Sequence, residues 1–293
     1  GSDKAGGFHP LSILTPTKIL QGDELANKLG GTLGATLANE LGVSATGYGA
    51  GSSRPVIRGL EGARVQILQN GLSVGDVSNI SQDHAVGNNM QNTHQVEILR
   101  GAAALLYGSG SSGGLVNVVN DRILTNLPDR PTGAFNTSYE TVNNGRAGSI
   151  ELDGAVGSVA VHVDTAINNA NNYSIPGSST QSQGEPIGGW TVPPEGNGGK
   201  NYTGKLPNSY SNQNNLGFGL SYIDNSGYTG ISVERLNNNY GIPTPEGGSI
   251  NQSQNRYDFQ HQTRDPFSGF SSFKFSAANT NYNHTEFNNA GEA

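Results

Sequence analysis

The chain has 293 residues, of which 33% are hydrophobic and only 13% are charged, and it contains 43 glycines and no cysteine. The absence of cysteine excludes disulfides, thiolate metal sites and a cysteine nucleophile, and the net charge of −7 argues against nucleic acid as a partner. So polar a composition is typical of a disordered linker. Here, however, the apolar residues fall into regular patterns, which indicate folded elements.

The first part of the chain has the pattern of a small mixed domain. Residues 1–15 lack periodicity and are predicted to form a flexible N-terminal segment. Leucines at helical spacing over residues 25–41 predict two short helices. Short strand patterns follow, and Asn70-Gly71 after one of them is the strongest signal for a two-residue hairpin turn. Residues 16–132 are therefore predicted to be a compact α+β domain.

A different pattern begins near residue 133, where apolar and polar residues alternate, most clearly over 159–168 and 216–222. A period of two places apolar side chains on one face of a strand and polar side chains on the other. In a soluble β-sandwich the polar face is outside, whereas in a membrane barrel the apolar face is outside. The alternation alone is compatible with both a soluble β-sandwich and a membrane barrel. Seven strands are predicted over residues 133–293, near 134–143, 147–156, 158–171, 212–224, 228–241, 254–264 and 270–287.

The lengths of the connections help to separate these two readings. The connections at 157, 224–227 and 265–269 are short, whereas those at 172–211 and 242–253 are long. If the first strand rises from the N-terminal domain, all three short turns fall at one end of the sheet and both long loops at the other. This asymmetry is expected of bacterial outer-membrane barrels. The loop at 172–211 is predicted to be exposed and mobile.

Two motifs mark the N-terminal domain. One is RPVIRGLEGARV at 54–65, and the other is VEILRGAAALLYG at 96–108, closed by GGLVNVV at 113–119. They resemble the plug domain of TonB-dependent outer-membrane receptors, although Ala102 stands where that family usually has proline. The resemblance implies an α+β plug domain followed by antiparallel strands of a transmembrane β-barrel, in a transporter rather than an enzyme.

The same resemblance implies a location and partners. The location is the outer membrane of a Gram-negative bacterium, and the partners are membrane lipid and the TonB energy-transducing complex. Barrels of this family have about 22 strands, and seven strands leave edges that lipid does not tolerate. The chain is therefore expected to be the N-terminal part of a longer receptor. The segment that TonB grips is not evident in residues 1–15 and is expected upstream of Gly1.

Within this family the chain is most similar to the ZnuD-like zinc-uptake group. The similarity rests on SQDHAV at 81–86, NYGIP at 239–243, RDPFSGF at 264–270 and NYNH at 281–284. It implies that the adjacent residues Asp83 and His84 supply ligands to a transported Zn²⁺ ion, which is cargo rather than a cofactor. Carboxylate oxygen and imidazole nitrogen are ordinary zinc ligands.

Two adjacent residues supply only half of a tetrahedral zinc site, so barrel residues must complete it. Glu286, Glu292 and His284, near the outer end of the seventh predicted strand, are the candidates, and a ligand beyond residue 293 is the alternative. On the residues alone, Asp83-His84 is interpreted instead as a loop pair that caps a turn or contacts the barrel wall.

A second group of titratable residues lies in the predicted hairpin around Gly157. The short turn places Asp153 opposite His162 and Glu151 opposite Asp164, all on the polar face. Asp153 and His162 are candidates for a second metal contact on the path through the lumen. Ordinary hydrogen bonding between barrel and plug is the favoured interpretation.

No spacing in the chain is typical of a catalytic triad or a metalloprotease helix, and the Gly-rich stretch at 108–114 lacks the Lys-Ser/Thr of a phosphate-binding loop. The resemblance implies instead a TonB-dependent importer of zinc. A receptor for a ferric siderophore or another metal chelate is the first alternative: Tyr173, Trp190 and Tyr202 in the long loop would suit it, but the cations there are lysines rather than arginines. A secreted β-rich binding or adhesion protein is the second.

Overall fold

The computed structural model describes residues 18–28, 33–38, 40, 43–48, 52–57, 65–74, 90, 92–100, 114–179, 202–243, 247–288 and 290–292. No helix in these ranges is long and apolar enough to cross a membrane. The first part of the chain forms β1 (Lys18–Gln21), α1 (Gly22–Lys28), α2 (Leu33–Leu37), β2 (Val43–Tyr48), β3 (Ser52–Ile57), β4 (Val65–Gln69), β5 (Leu72–Ser73), β6 (Gln95–Arg100) and β7 (Gly114–Val119).

These elements form an N-terminal domain around a five-stranded sheet with the order β1-β6-β7-β4-β5. Strand β4 pairs with β7 in parallel, and the other pairs are antiparallel. In the described part of the chain, four residue pairs join the edge strand β1 to β6. Strands β2 and β3 form a separate antiparallel pair. The predicted helices pack on the sheet through their leucines, and the core contains Leu20, Leu25, Leu33, Leu37, Val65, Ile67, Val74, Met90, Val96, Ile98, Val116 and Val118.

The hairpin turn predicted at Asn70-Gly71 is confirmed. Both residues have positive φ, 49° for Asn70 and 81° for Gly71, as a type I′ turn requires. The backbone N–H of Gly71 donates to Asn117 Oδ1 of β7 at 2.9 Å. The turn is therefore tied to the neighbouring strand of the sheet.

The second part of the chain forms β8 (Thr132–Glu140), β9 (Gly145–Val156), β10 (Val159–Ala170), β11 (Ser174–Ser179), β12 (Tyr202–Lys205), β13 (Ser211–Ile223), β14 (Gly227–Gly241), β15 (Ser249–Phe267) and β16 (Phe270–Phe287). Seven of them make one antiparallel sheet in which each strand pairs with its neighbour in the chain, β16-β15-β14-β13-β10-β9-β8. The seven predicted strands are therefore confirmed. Strands β11 and β12 pair with each other within the segment predicted to be the long loop.

The seven-stranded sheet exposes its apolar face and covers its polar face, which is the reverse of a sheet in a soluble protein. On β13 the outward residues Leu216 and Phe218 are 59% and 43% exposed, whereas Asn215 between them is 3% exposed. Toward one end of the sheet, at residues 159–163, 228–234 and 256–262, the same contrast runs across β10, β14 and β15. Toward the other end both faces of β14 and β15 carry amides, and Leu236, Tyr240 and Ile250 are buried on the inner face. The sheet therefore has an apolar outer face and a polar inner face.

The three predicted short turns and the two predicted long loops sort onto opposite rims as expected, but the short connection at 141–144 joins strands on the rim of the long loops. The turns at 157–158, 224–226 and 268–269 lie on one rim, which we call the turn rim. The strand ends that are joined by residues 141–144, 171–210 and 242–248 lie on the opposite one, the loop rim. Gly157, with φ of +61°, permits the tight turn between β9 and β10.

Candidate functional site

The sequence-predicted metal ligands divide into two groups. Asp83 and His84 lie outside the described residues. His284 and Glu286 lie at the loop-rim end of β16, with His284 Nε2 3.5 Å from Glu286 Oε1, and Glu292 accepts a hydrogen bond from Asn288 Nδ2 at 3.0 Å. Within the described ranges, no three His, Asp or Glu side chains come together as a metal centre. The proposed zinc ligands therefore stay a prediction.

The predicted register of the hairpin around Gly157 is confirmed, because His162 pairs with Asp153 and Asp164 with Glu151. His162 Nδ1 lies 2.6 Å from Asp153 Oδ1, and His162 Nε2 lies 3.1 Å from Asp164 Oδ2. Both ring nitrogens are thus engaged by carboxylates. A metal-binding role for Asp153 and His162 stays a prediction.

The strongest link between the two parts of the chain is made by Arg122, in the segment that follows β7. Its guanidinium donates from Nε to Asp164 Oδ2 at 2.6 Å and from Nη2 to Asp164 Oδ1 at 3.0 Å, and its Nη1 pairs with Glu234 Oε2 on β14. All three side chains are buried. A buried two-pronged arginine–carboxylate pair is strong and geometrically specific.

Amide groups extend this cluster, which we call the Arg122 site (Asn92, Arg122, Asp164, Asn215 and Glu234). Asn92 Nδ2 of the N-terminal domain donates to Asp164 Oδ1 at 2.5 Å, and Asn215 Nδ2 of β13 donates to the same oxygen at 3.1 Å. Burying an ion pair has a large desolvation cost, which such additional hydrogen bonds offset. Glu234 Oε1 and Asn92 Oδ1, however, are buried without a hydrogen-bond partner.

The inner face of the sheet is shaped to receive the segment around Arg122. A Cβ atom added to Gly217 would overlap the Arg122 guanidinium, one added to Gly219 would overlap the Arg122 carbonyl group, and one added to Gly230 would overlap Ile123. Three inward positions without side chains thus leave a groove in the sheet, and the chain lies directly against the backbone there. The alternation over 216–222 placed Gly217 and Gly219 on the polar face but gave no sign of the groove.

We call a side chain that holds the N-terminal domain to the sheet an anchor, and Arg122 is the first. The second is Arg256 of β15, whose side chain is completely buried. It donates from Nη1 to the carbonyl oxygen of Ser73 at 3.0 Å and from Nη2 to that of Gln69 at 3.1 Å, and Nε lies 3.1 Å from Asp258 Oδ2. Arg256 therefore holds the β4–β5 hairpin of the N-terminal domain against the inner face. Sequence reasoning missed this contact, which joins residues up to 187 positions apart.

A third anchor is His94, just before β6. Its Nδ1 lies 3.0 Å from Asp121 Oδ2 and its Nε2 lies 2.9 Å from Glu151 Oε1 of β9. The hydrogen bonds to Asp121 first, and then to Glu151, raise the pKa of His94 to about 10. The imidazole is therefore positively charged at neutral pH and bridges the two parts of the chain.

The charge on His94 predicts a pH-dependent contribution to stability. Its pKa in the folded state, about 10, lies above the ordinary value of 6.5. The contribution is therefore present in full below pH 6.5 and is lost as pH rises through about 10. Thermal unfolding of the complete protein should show that His94→Gln is destabilising at pH 6 and that the difference disappears by about pH 10.5. A difference that does not change with pH would contradict the ion pair, and His261→Gln, on the outer face, is the control.

Comparison with known proteins agrees with this architecture. Residues 10–115 match the family model of the TonB-dependent receptor plug domain. Among solved structures, the chain is similar to the copper transporter OprC, with 12% identity and a TM-score of 0.67 over 94% of this chain and 38% of that one. It is also similar to the FrpB iron transporter from Neisseria meningitidis, with 13% identity and a TM-score of 0.68 over 94% of this chain and 42% of that one.

A third similar structure is the alcaligin outer-membrane receptor FauA from Bordetella pertussis, with 16% identity and a TM-score of 0.61 over 94% of this chain and 41% of that one. The chain thus spans about two fifths of the length of the structures it matches. At these identities the likeness establishes the fold. The predicted fold class, an α+β domain followed by antiparallel strands of a barrel, is confirmed.

Proposed function

Since the chain carries the plug domain of a TonB-dependent receptor, followed by strands with the fold of such a receptor's barrel, we propose that it acts in the import of a metal ion, with zinc as the cargo. Its N-terminal domain is the plug, and its seven-stranded sheet is part of the barrel wall. Receptors of this fold lie in the outer membrane of Gram-negative bacteria, which is the location of this chain. They are transporters and receptors, so the chain is not an enzyme.

The observation that carries the proposal is the reversed polarity of the seven-stranded sheet. Its open face carries Phe135, Leu216, Phe218 and Ile231, and its covered face carries charged and amide side chains that bind the plug. An apolar outer band around a polar, plugged interior is the arrangement of an outer-membrane barrel. It argues against a secreted binding or adhesion protein, in which the polar face would be in water.

Transport requires the plug to leave the wall at least in part. Arg122, Arg256 and His94 join the plug to four strands of the wall, β9, β10, β14 and β15. We infer that TonB, pulling on the N-terminal side of the plug, breaks some of these anchors while the others hold. A ligand bound between plug and outer loops would then lose part of its site and be released inward, since a conformational change alters affinity only through contacts that differ between the states.

Two observations support a metal ion as the cargo. The segment at 81–86 resembles that of zinc-uptake receptors, and the plug there carries the adjacent ligand types carboxylate and imidazole. The similar structures include proteins named as a copper transporter and an iron transporter. A receptor for a ferric siderophore is the second candidate, since the similar structures also include one named as a siderophore receptor.

Zinc uptake by cells that depend on the complete receptor tests the proposal. Asp83→Ala/His84→Ala is expected to lower the initial uptake of radioactive Zn²⁺ at limiting concentration by about tenfold or more, the equivalent of at least about 1.4 kcal/mol of lost ligand binding. His261→Ala, on the lipid-facing side of β15, is the control and should transport normally. Wild-type uptake by the double variant would exclude zinc binding by this pair, and restoration of growth by a ferric siderophore instead of zinc would favour the second candidate.

A further inference from the structure

The wall beneath the plug carries more negative than positive charge. Two neighbouring rows of inward positions cross β9, β10, β14 and β15, and their charged members are Glu151, Asp153, His162, Asp164, Glu234, Arg256 and Asp258. Among these are five carboxylates, one arginine and one histidine. In the plugged state Arg122 and His94 supply the additional positive charge. Withdrawal of the plug removes both and leaves the carboxylates in excess.

The Arg122 site has the features of a cation site in particular. Its guanidinium is a positive group held by two carboxylates from adjacent parts of the wall, Asp164 and Glu234, whose side chains are almost inaccessible to solvent. The groove of inward glycines brings that cation to the wall. On the wall itself, Asn215 and His162 lie within hydrogen-bond distance of Asp164. An imidazole and an amide group of the wall therefore lie around the Asp164 carboxylate.

An unsatisfied atom points independently to a ligand there. Glu234 is 3% exposed, and its Oε1 has no hydrogen-bond partner although Oε2 pairs with Arg122. A buried carboxylate oxygen without a partner is unfavourable, because it has lost its hydration and gained no hydrogen bond in return. Asn92 Oδ1 is the other buried atom of the Arg122 site without a partner. Both atoms are oxygens, which indicates capacity for a further positive charge.

We propose that Asp164 and Glu234 form a transit site for the imported metal cation, which Arg122 occupies while the plug is seated. The proposal rests on the proposed function, because it takes the cargo to be a metal cation. Withdrawal of Arg122 with the plug frees both carboxylates, and the cation binds in its place on the way to the turn rim. Return of Arg122 displaces the cation, so the plug both empties the site and closes it.

The test uses the complete receptor in detergent and Zn²⁺ alone as the probe, in an Asp83→Ala/His84→Ala background that removes the proposed outer ligands. Calorimetric titration is expected to show one additional bound Zn²⁺ in Arg122→Gln that is absent when Arg122 is intact. Adding Asp164→Asn and Glu234→Gln should weaken that binding at least tenfold. Arg235→Gln, which removes an outward arginine of the same strand, should gain no site. No zinc binding by Arg122→Gln, or binding indifferent to the two carboxylates, would overturn the proposal.

Replacing Arg122 also displaces the plug from the wall, so a second measurement uses a variant that keeps Arg122. Glu234→Gln with Arg122 intact weakens the anchor and the transit site together, and these two roles predict opposite results. A transit site predicts at least a threefold lower maximal rate of zinc uptake with unchanged zinc affinity of the closed receptor. An anchor alone predicts an equal or faster rate, which would refute the transit site. Failure of wild-type cells to take up zinc would instead count against the proposed function, and the titration would still report on the site.

Discussion

Replacing Arg122 with alanine is expected to unseat the plug from the barrel wall. The substitution leaves Asp164 and Glu234 buried without their cation, and breaking a buried ion pair by removing one partner costs about 3–5 kcal/mol. Single receptors in planar bilayers should then show open-channel conductance where the unaltered receptor is closed. Protease should cleave the plug at least tenfold faster.

The matched control for this prediction is Arg235→Ala, since Arg235 follows Glu234 on β14 but faces outward. It should leave both conductance and cleavage unchanged. Adding Asp164→Asn and Glu234→Gln to Arg122→Ala should restore part of the seating, because the buried negative charge is then removed. If Arg122→Ala remained closed and resistant to protease, the cluster would not hold the plug.

Gly219→Ala is expected to have the second large effect. Its new Cβ atom would overlap the backbone carbonyl group of Arg122, which no side-chain rotation can relieve. Overpacking of this kind costs about 1–3 kcal/mol, and displacement of the segment would also disturb the pair between Arg122 and Asp164. The midpoint of thermal unfolding should fall, and plug cleavage should accelerate.

Gly154→Ala provides the comparison for this substitution, because a Cβ at Gly154 of β9 would meet no atom within 4 Å. It should behave as the unaltered receptor in both measurements. Equal behaviour of the two alanine variants would show that the plug segment does not lie in the groove.

Much of the barrel-wall fold could be predicted because a strand repeats every two residues and a short turn fixes the register. The contact between His162 and Asp153 followed from the turn at Gly157 alone. Which face is outside could not be predicted, because alternation has the same period in a sandwich and a barrel. Burial in the folded chain decides that point.

The contacts made by the anchors could not be predicted from the sequence. Arg122 and Asp164 are 42 positions apart, and Arg256 binds carbonyl groups that carry no side-chain signal at all. The nearest available signal was the pair of inward glycines at 217 and 219, where a polar wall has no side chains. Asp83 and His84 rest on resemblance, and their role stays a prediction.

The four-residue pairing of β1 with β6 has a mechanical consequence. A chain under tension fails first where the fewest bonds share the load, and β1 is the edge strand nearest to the N-terminal side of the plug. A pull from that side would first peel β1 away and withdraw Leu20 from the core, before it reaches the anchors at Arg122 and Arg256. A force on the N-terminal side would thus break the hydrogen bonds between β1 and β6 before it could displace the whole plug.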